Sequence, residues 1–359
     1  MIKRLITVSR PNRTVPILHD IAASLGVSAA TVSNALLRKG RVSPDTAERI
    51  RHRAEALGYV ASPAARALRT GRSNVLGLVL PDIANPLFPR IAQAIEGAAR
   101  KAGYGVLIAD SQGDVATQTD AIDRLINRGV DGMIIVPRRG TRIADIGCPL
   151  AVIDTPSTPG NTVSADHWGG GALVAEHLVK LGHRKILLIA ADPASNVQND
   201  RIGGIKSRLT AGTTGAVLWI DRLESEQGKG CRLGLPERYA EGFTAFAAIS
   251  DLHALRALTE LQSAGFAVPA DVSVTGFDDL LWSTAVTPAL TTVQMNMERI
   301  ADVAIAALAA ALDADGRGAE DRAPLRASVA SVPMKLIVRQ SSGPARTSQR
   351  HFKQGANTQ

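Results

Sequence analysis

Residues 20–37, DIAASLGVSAATVSNALL, constrain this chain more than any other stretch. Residues 20–25 have helical spacing, with Ile21 and Leu25 on one face. Gly26 can enter the left-handed conformation that ends a helix, and Val27 can plug the corner. Ser28 is a good N-cap for a second helix, with Thr31 three residues later. Val32, Ala35 and Leu36 then turn inward, while Ala29, Ala30, Ser33 and Asn34 face outward. Two short helices joined by a glycine-containing turn, the second with a small, polar free face, form a helix-turn-helix. Such a face fits a major groove because nothing bulky stands between backbone and base edges. An ordinary corner of a packed core is the competing reading.

Charge decides between them. Residues 1–72 hold 13 Lys/Arg against 4 Asp/Glu, a balance of +9, while the remainder holds 28 against 29, a balance of −1. All the excess positive charge accompanies the helix-turn-helix, as a phosphate-binding footprint requires. Arg38, Lys39 and Arg41 form a basic loop after the second helix. Ser43 caps a third helix with Pro44 at its first position, Asp45 and Glu48 in its first turn, and Ile50, Ala54 and Leu57 inward. Residues 1–15 read as a basic, mobile arm.

From Val75 onward, continuous apolar runs such as VLGLVL, GVLIAD, GMIIVP, LAVIDT, KILLIAA and DVSVTGF alternate with helical stretches. That alternation means parallel sheets covered on both faces, and there are too many units for one sheet. The expected core is therefore α/β, two doubly wound parallel-sheet subdomains in tandem.

The segments HDIAASLGVSAATVSNAL and VSPDTAERIRHRAEALGYVASPAARALRTGRS resemble the DNA-binding headpiece of the lactose-repressor/galactose-repressor (LacI/GalR) family, and the likeness continues to about Arg339. It implies an N-terminal all-α helix-turn-helix headpiece at 16–60 and a hinge helix or linker at 61–72. The core it implies is periplasmic-binding-protein-like. One subdomain is built from 73–165 and 296–322, the other from 166–292 and 326–340, and 341–359 is a disordered tail. The chain would cross between subdomains near 165–167, 293–296 and 322–325. The family further implies a homodimer on palindromic double-stranded operator DNA, with affinity set by a small effector bound between the subdomains. Leu68 matches the hinge leucine that wedges into the minor groove. Ala29, Ala30 and Asn34 match positions that vary with operator sequence, Thr31 and Ser33 lie nearer the DNA backbone, and Ser28 and Arg41 complete the DNA-contacting set. Asn34 can pair bidentately with adenine where many relatives have arginine, so an A·T pair is expected in each half-site.

Open α/β sheets bind ligands beyond the carboxyl ends of their strands. Asp154, Ser250 and Asp278 end strands, and Phe88 follows the first strand with Asn85. By resemblance, Arg201 and Asp278 bind the effector, with Phe88, Asp154 and Ser250 as further wall positions. The chain also departs from the family. Pro16-Ile17 replaces the threonine cap of the first helix, Pro63 comes two residues later than the usual hinge proline, Ser250-Asp251 replaces Asn-Asp, and Arg256 replaces a glycine. An aromatic usual in the cleft is matched by Arg222, with Trp219 as the substitute ring. A second cleft arginine would favour a sugar acid over a neutral sugar.

No nucleophile elbow, zinc-protease motif, Walker-A loop or dinucleotide fingerprint is present. The Gly169-Gly170-Gly171 triplet is assigned to packing rather than to a phosphate cradle. Seven histidines lack metal-like spacing, and Cys148 and Cys231 read as reduced thiols. No cofactor, metal, catalytic residue or membrane is expected, and the location expected is cytoplasmic. The expected function is a repressor of a carbohydrate uptake or catabolic operon. A solute-binding protein of a transport system is the alternative, and it would need a signal peptide in place of the helix-turn-helix.

Overall fold

The computed structural model describes residues 16–36, 40, 42–59, 67, 71–141, 143, 146–315 and 330–346. The chain divides into two compact units, residues 1–73 and 74–359.

In the first unit, helix α1 (Leu18–Leu25) ends at Gly26, whose φ of 66° is the left-handed turn that a side chain would strain. Helix α2 (Ala29–Leu36) starts where Ser28 Oγ accepts from Thr31 N at 3.0 Å, and helix α3 (Pro44–Leu57) where Ser43 caps Thr46. With no threonine at its start, α1 is capped from the opposite direction: Ile17 N donates to the Asp20 carboxylate at 2.8 Å. Ile21, Ala22, Val32, Ala35, Ile50 and Ala54 form the buried centre.

In the second unit, strands β1 (Val75–Leu80), β2 (Gly105–Asp110), β3 (Gly132–Ile135), β4 (Leu150–Ile153) and β5 (Asn161–Ala165) form a parallel sheet. Helices α4 (Leu87–Lys101) and α5 (Val115–Asn127) connect its first strands. Helix α6 (His167–Lys180) opens the second subdomain. Strands β6 (Lys185–Ala190), β7 (Thr214–Trp219), β8 (Ala245–Ala248) and β9 (Ser273–Thr275) follow, with helices α7 (Asn196–Ser207), α8 (Ile220–Gln227), α9 (Leu235–Ala240), α10 (Asp251–Ser263) and α11 (Trp282–Ala285). Strand β10 (Thr292–Gln294) precedes α12 (Met297–Asp315), which packs on the first sheet; β11 (Ala330–Val332) and β12 (Lys335–Ile337) complete the fold. The sheet orders are β11-β5-β4-β3-β1-β2 and β7-β6-β8-β9, and β10 pairs antiparallel with β12.

Two boundaries differ from expectation. β11 still pairs parallel with β5, so the third crossing falls at residues 333–334 rather than near 322–325. Pro333 explains the break: lacking an N–H, it cannot extend a ladder, and the chain changes sheets there. Residues 316–329 lie outside the described residues. The expected tail begins with an ordered strap. Ser341 is fully buried, with its Oγ donating to Val274 O (2.6 Å) and accepting from Thr291 N (2.9 Å), and Arg346 pairs with Asp271.

The glycine triplet is a packing feature. A Cβ on Gly171 would strike the Arg201 carbonyl, and one on Gly204 would strike the Trp168 carbonyl, so α6 and α7 cross at backbone contact. α7 begins at Asn196 because Ser195 caps Gln198 N. Arg201 thereby sits inside the helix, facing the end of the sheet.

Candidate functional site

In the first unit, Ala30 and Asn34 are exposed on α2, Thr31 and Ser33 are half-buried, and Ser28 is exposed with its hydroxyl paired to Thr31 Oγ1 at 2.8 Å. Ala29 is a correction: it packs against the headpiece core instead of facing outward, because the first turn of α2 leans on α1. The free face is thus narrower than the spacing suggested, and Asn34 is its one long polar side chain. Arg41 and Leu68 lie outside the described residues.

In the second unit, a cleft of about 790 Å³ opens between the two sheets. Phe88 and Asp154 line it from the first subdomain, and Arg201, Ser250 and Asp278 from the second. Arg201 is 3% exposed, and each of its three guanidinium nitrogens has one partner, leaving N–H groups of its fork to spare. Nη1 donates to Ile249 O (2.7 Å), Nε to His167 Nδ1 (3.3 Å), and Nη2 lies 2.9 Å from Asp278 Oδ1, with the Phe277 ring 4.1 Å from Cζ. Burial, then the adjacent Arg201, holds His167 well below the usual histidine range, so its neutral ring can accept that hydrogen bond.

Asp278 is the strained partner. It is 4% exposed, its φ is 104°, and Oδ1 faces Arg201 without well-directed hydrogen-bond geometry. Burial pushes its carboxyl up to about 7, against the lowering pull of Arg201. A buried carboxylate this poorly satisfied is a ready acceptor for hydroxyl groups from a ligand.

The other wall residues are more committed. Ser250 caps α10 and shares a 2.7 Å hydrogen bond with His253 Nδ1. Burial also raises Asp154, which accepts from Thr158 Oγ1. Asp251 is fully buried away from the cleft and accepts from Leu280 N, Ser283 Oγ and Thr292 Oγ1. Asp279 is likewise structural, held by Arg339 and Gln294.

Neither Arg222 nor Trp219, the two residues expected at the family's cleft aromatic, reaches the cleft. Arg222 is exposed and pairs with Glu226, and Trp219 packs into the core beside α7. Asp221 lines the cleft instead, because VLWID ends as a strand at Trp219 and turns into α8. Arg256 braces that helix: Nη1 bonds Glu224 at 2.7 Å and Nη2 reaches the Cys231 carbonyl. Sequence reasoning also missed Asp82, Asp114, Arg138 and Arg139 of the first subdomain, and His167, Asp192 and His253 of the second. Asp82, His167 and Asp192 lie two residues beyond the carboxyl end of a strand and Arg138 three, so the strand-end rule applied to every strand would have found these four. The lining carries six aspartates and three arginines. No group of three or more potential metal ligands occurs among the described residues, and no described helix is long and apolar enough to cross a membrane.

Residues 17–62 match the family model "Bacterial regulatory proteins, lacI family", and residues 175–342 match a periplasmic binding protein-like domain. An uncharacterized HTH-type transcriptional regulator in the aml 5′ region of Streptomyces limosus is 31% identical, over 82% of this chain and 87% of that protein. The chain belongs to the lacI family of bacterial regulatory proteins. HTH-type transcriptional regulator DegA of Bacillus subtilis is 29% identical over 92% of this chain and 99% of its own length. Among solved structures, the lac repressor dimer bound to operator and the anti-inducer ONPF aligns with a TM-score of 0.76 at 25% identity, covering 92% of this chain and 99% of that one. As a lacI-family member, the chain is a DNA-binding transcription regulator with a periplasmic-binding-protein-like core.

Proposed function

We propose that the chain is a dimeric, cytoplasmic repressor of a carbohydrate uptake or catabolic operon, released from or held on its operator by a neutral sugar in the core cleft. The observation that carries this is the buried Arg201–Asp278 pair. A planar donor fork beside an under-satisfied carboxylate suits vicinal hydroxyls. A neutral sugar is favoured over a sugar acid: six aspartates face three arginines in the lining, and Arg201 already has a carboxylate partner. A second anion would meet net repulsion there. Relatives named ribose operon repressor and a structure described as a CelR–cellobiose complex support a sugar-responsive role.

On the DNA side, the two-fold dimer reads a palindrome. Asn34 contacts an A·T pair in each half-site, Ala30 provides the apolar contact, Ala29 supports the helix from the core side, and Ser28, Thr31, Ser33 and Arg41 contact the DNA backbone. Leu68 supplies the minor-groove wedge.

The test is thermal-shift and calorimetric screening of the full chain against neutral sugars and sugar acids, repeated with Arg201→Ala. Neutral sugars should bind wild type, and Arg201→Ala should abolish the response while operator binding is retained. Wild-type sugar affinity in Arg201→Ala, or binding confined to sugar acids, would overturn the assignment.

A further inference from the structure

Two consecutive non-glycine residues, Asp278 and Asp279, have positive φ, 104° and 49°. Such a corner persists only where its surroundings over-determine it. Asp278 N donates to Val293 O at 2.8 Å, Asp279 carries Arg339 (2.6 Å) and Gln294 (2.7 Å), and Leu280 N donates to Asp251 at 2.7 Å. All these partners belong to the second subdomain or to β10. Arg90, at the end of the first turn of α4, comes from the first subdomain. Its Nη1 donates to Asp279 O at 2.5 Å and lies 3.3 Å from Asp278 O. Arg90 is not part of the cleft lining; it faces a second groove of about 700 Å³ formed with Gln294, Asn296 and Lys335, over two of the crossings. It therefore holds, from behind, the backbone whose side chain faces the effector cleft.

We propose that Arg90 is a positioning residue that sets the angle between the subdomains by pinning the strained Asp278–Asp279 corner across them. A cross-subdomain contact to a corner held in one conformation exists over a narrow range of angles. It therefore biases the equilibrium toward the arrangement seen here before any ligand arrives. Arg90 also bears on the carboxylate itself, since its charge favours ionised Asp278. The proposal rests on the cleft being the effector site, but its test needs no ligand.

Cys148 lies in the first subdomain and Cys231 in the second; both are free thiols and partly exposed. Nitroxides on this pair report the subdomain angle in the full, ligand-free chain by pulsed electron-electron double resonance. With labelled protomers diluted into an excess of cysteine-free protomers, so that each dimer carries at most one labelled pair, wild type should give one principal distance. Arg90→Ala should add a second distance or broaden the first, whereas a residue that only stabilises the fold would lower the melting point and leave the distance alone. Arg90→Lys keeps the charge but not the fork, and should shift the distribution less. It also serves as the deciding variant should Arg90→Ala not fold. A distribution identical to wild type in the folded variant overturns the proposal. A failed sugar screen with a shifted distance would instead count against the cleft reading alone.

Discussion

At the scale of single residues, the ligand-binding role proposed for Asp278 predicts that affinity depends on pH. Its carboxyl is pushed up to about 7 by burial, above the unfolded aspartate value. The sign for stability follows: Asp278's contribution is present below the unfolded value near 4 and is lost as pH rises through about 7, where a buried charge must form. Ligand hydroxyls donating to the carboxylate bind the ionised form, so affinity runs the other way. Between pH 6 and pH 8 sugar affinity should rise about tenfold, and Asp278→Asn should flatten the profile. Calorimetry at the two pH values checks this; a flat or falling wild-type profile would show that the ligand does not bind the carboxylate. Adjacent residues show where sequence stops being informative. Asp278 and Asp279 are chemically identical neighbours, yet one faces the cleft and the other an arginine inside the second subdomain. Backbone twist assigns those roles, and no spacing rule encodes it. Ala29 and Ala30 part in the same way, one leaning on α1 and the other exposed.

At the scale of elements, legibility tracks burial on both faces. β1 and β3 are continuous apolar runs because helices cover both sides of their sheet, and such runs read directly as strands. β11 is an edge strand with only Val332 buried, so its three residues carry no apolar run, and the pattern alone puts the third crossing too early. α8 and α9 are short and owe their helicity to packing on the second sheet, which no local pattern announces. The strap at 341–346 was hidden by its polarity. Its energy lies in hydrogen bonds: Val274 N to Ser341 O at 2.8 Å, Gly343 N to Ser273 Oγ at 3.0 Å, and His183 Nε2 against Gly343 O at 3.1 Å. Removing it strands the partners of several buried bonds at about 1 kcal/mol each. A chain ending at Gln340 should therefore melt roughly 5–10 °C lower than the full chain. Differential scanning calorimetry decides it, and a midpoint within a degree of the full chain would mean that the strap contributes nothing.

At the scale of the whole molecule, charge is divided by task. Residues 1–72 carry +9 and the remainder −1. Operator affinity should accordingly fall steeply with salt, the slope of log affinity against log salt being on the order of −0.9 for each phosphate neutralised. Sugar affinity in the nearly neutral core should hardly respond. Titrations in 50 and 200 mM salt separate the two, and operator binding insensitive to salt would contradict a phosphate-dominated interface. The three crossings lie side by side: Asp166 N donates to Val332 O at 2.8 Å, and the second and third are flanked by the paired β10 and β12. Three chain segments laced together in this way act as a strip of webbing along one edge of the cleft. Because the strip ties the lobes at one edge only, the effector proposed for the cleft should turn one lobe against the other about that edge. A protease that cuts one segment leaves two still joined.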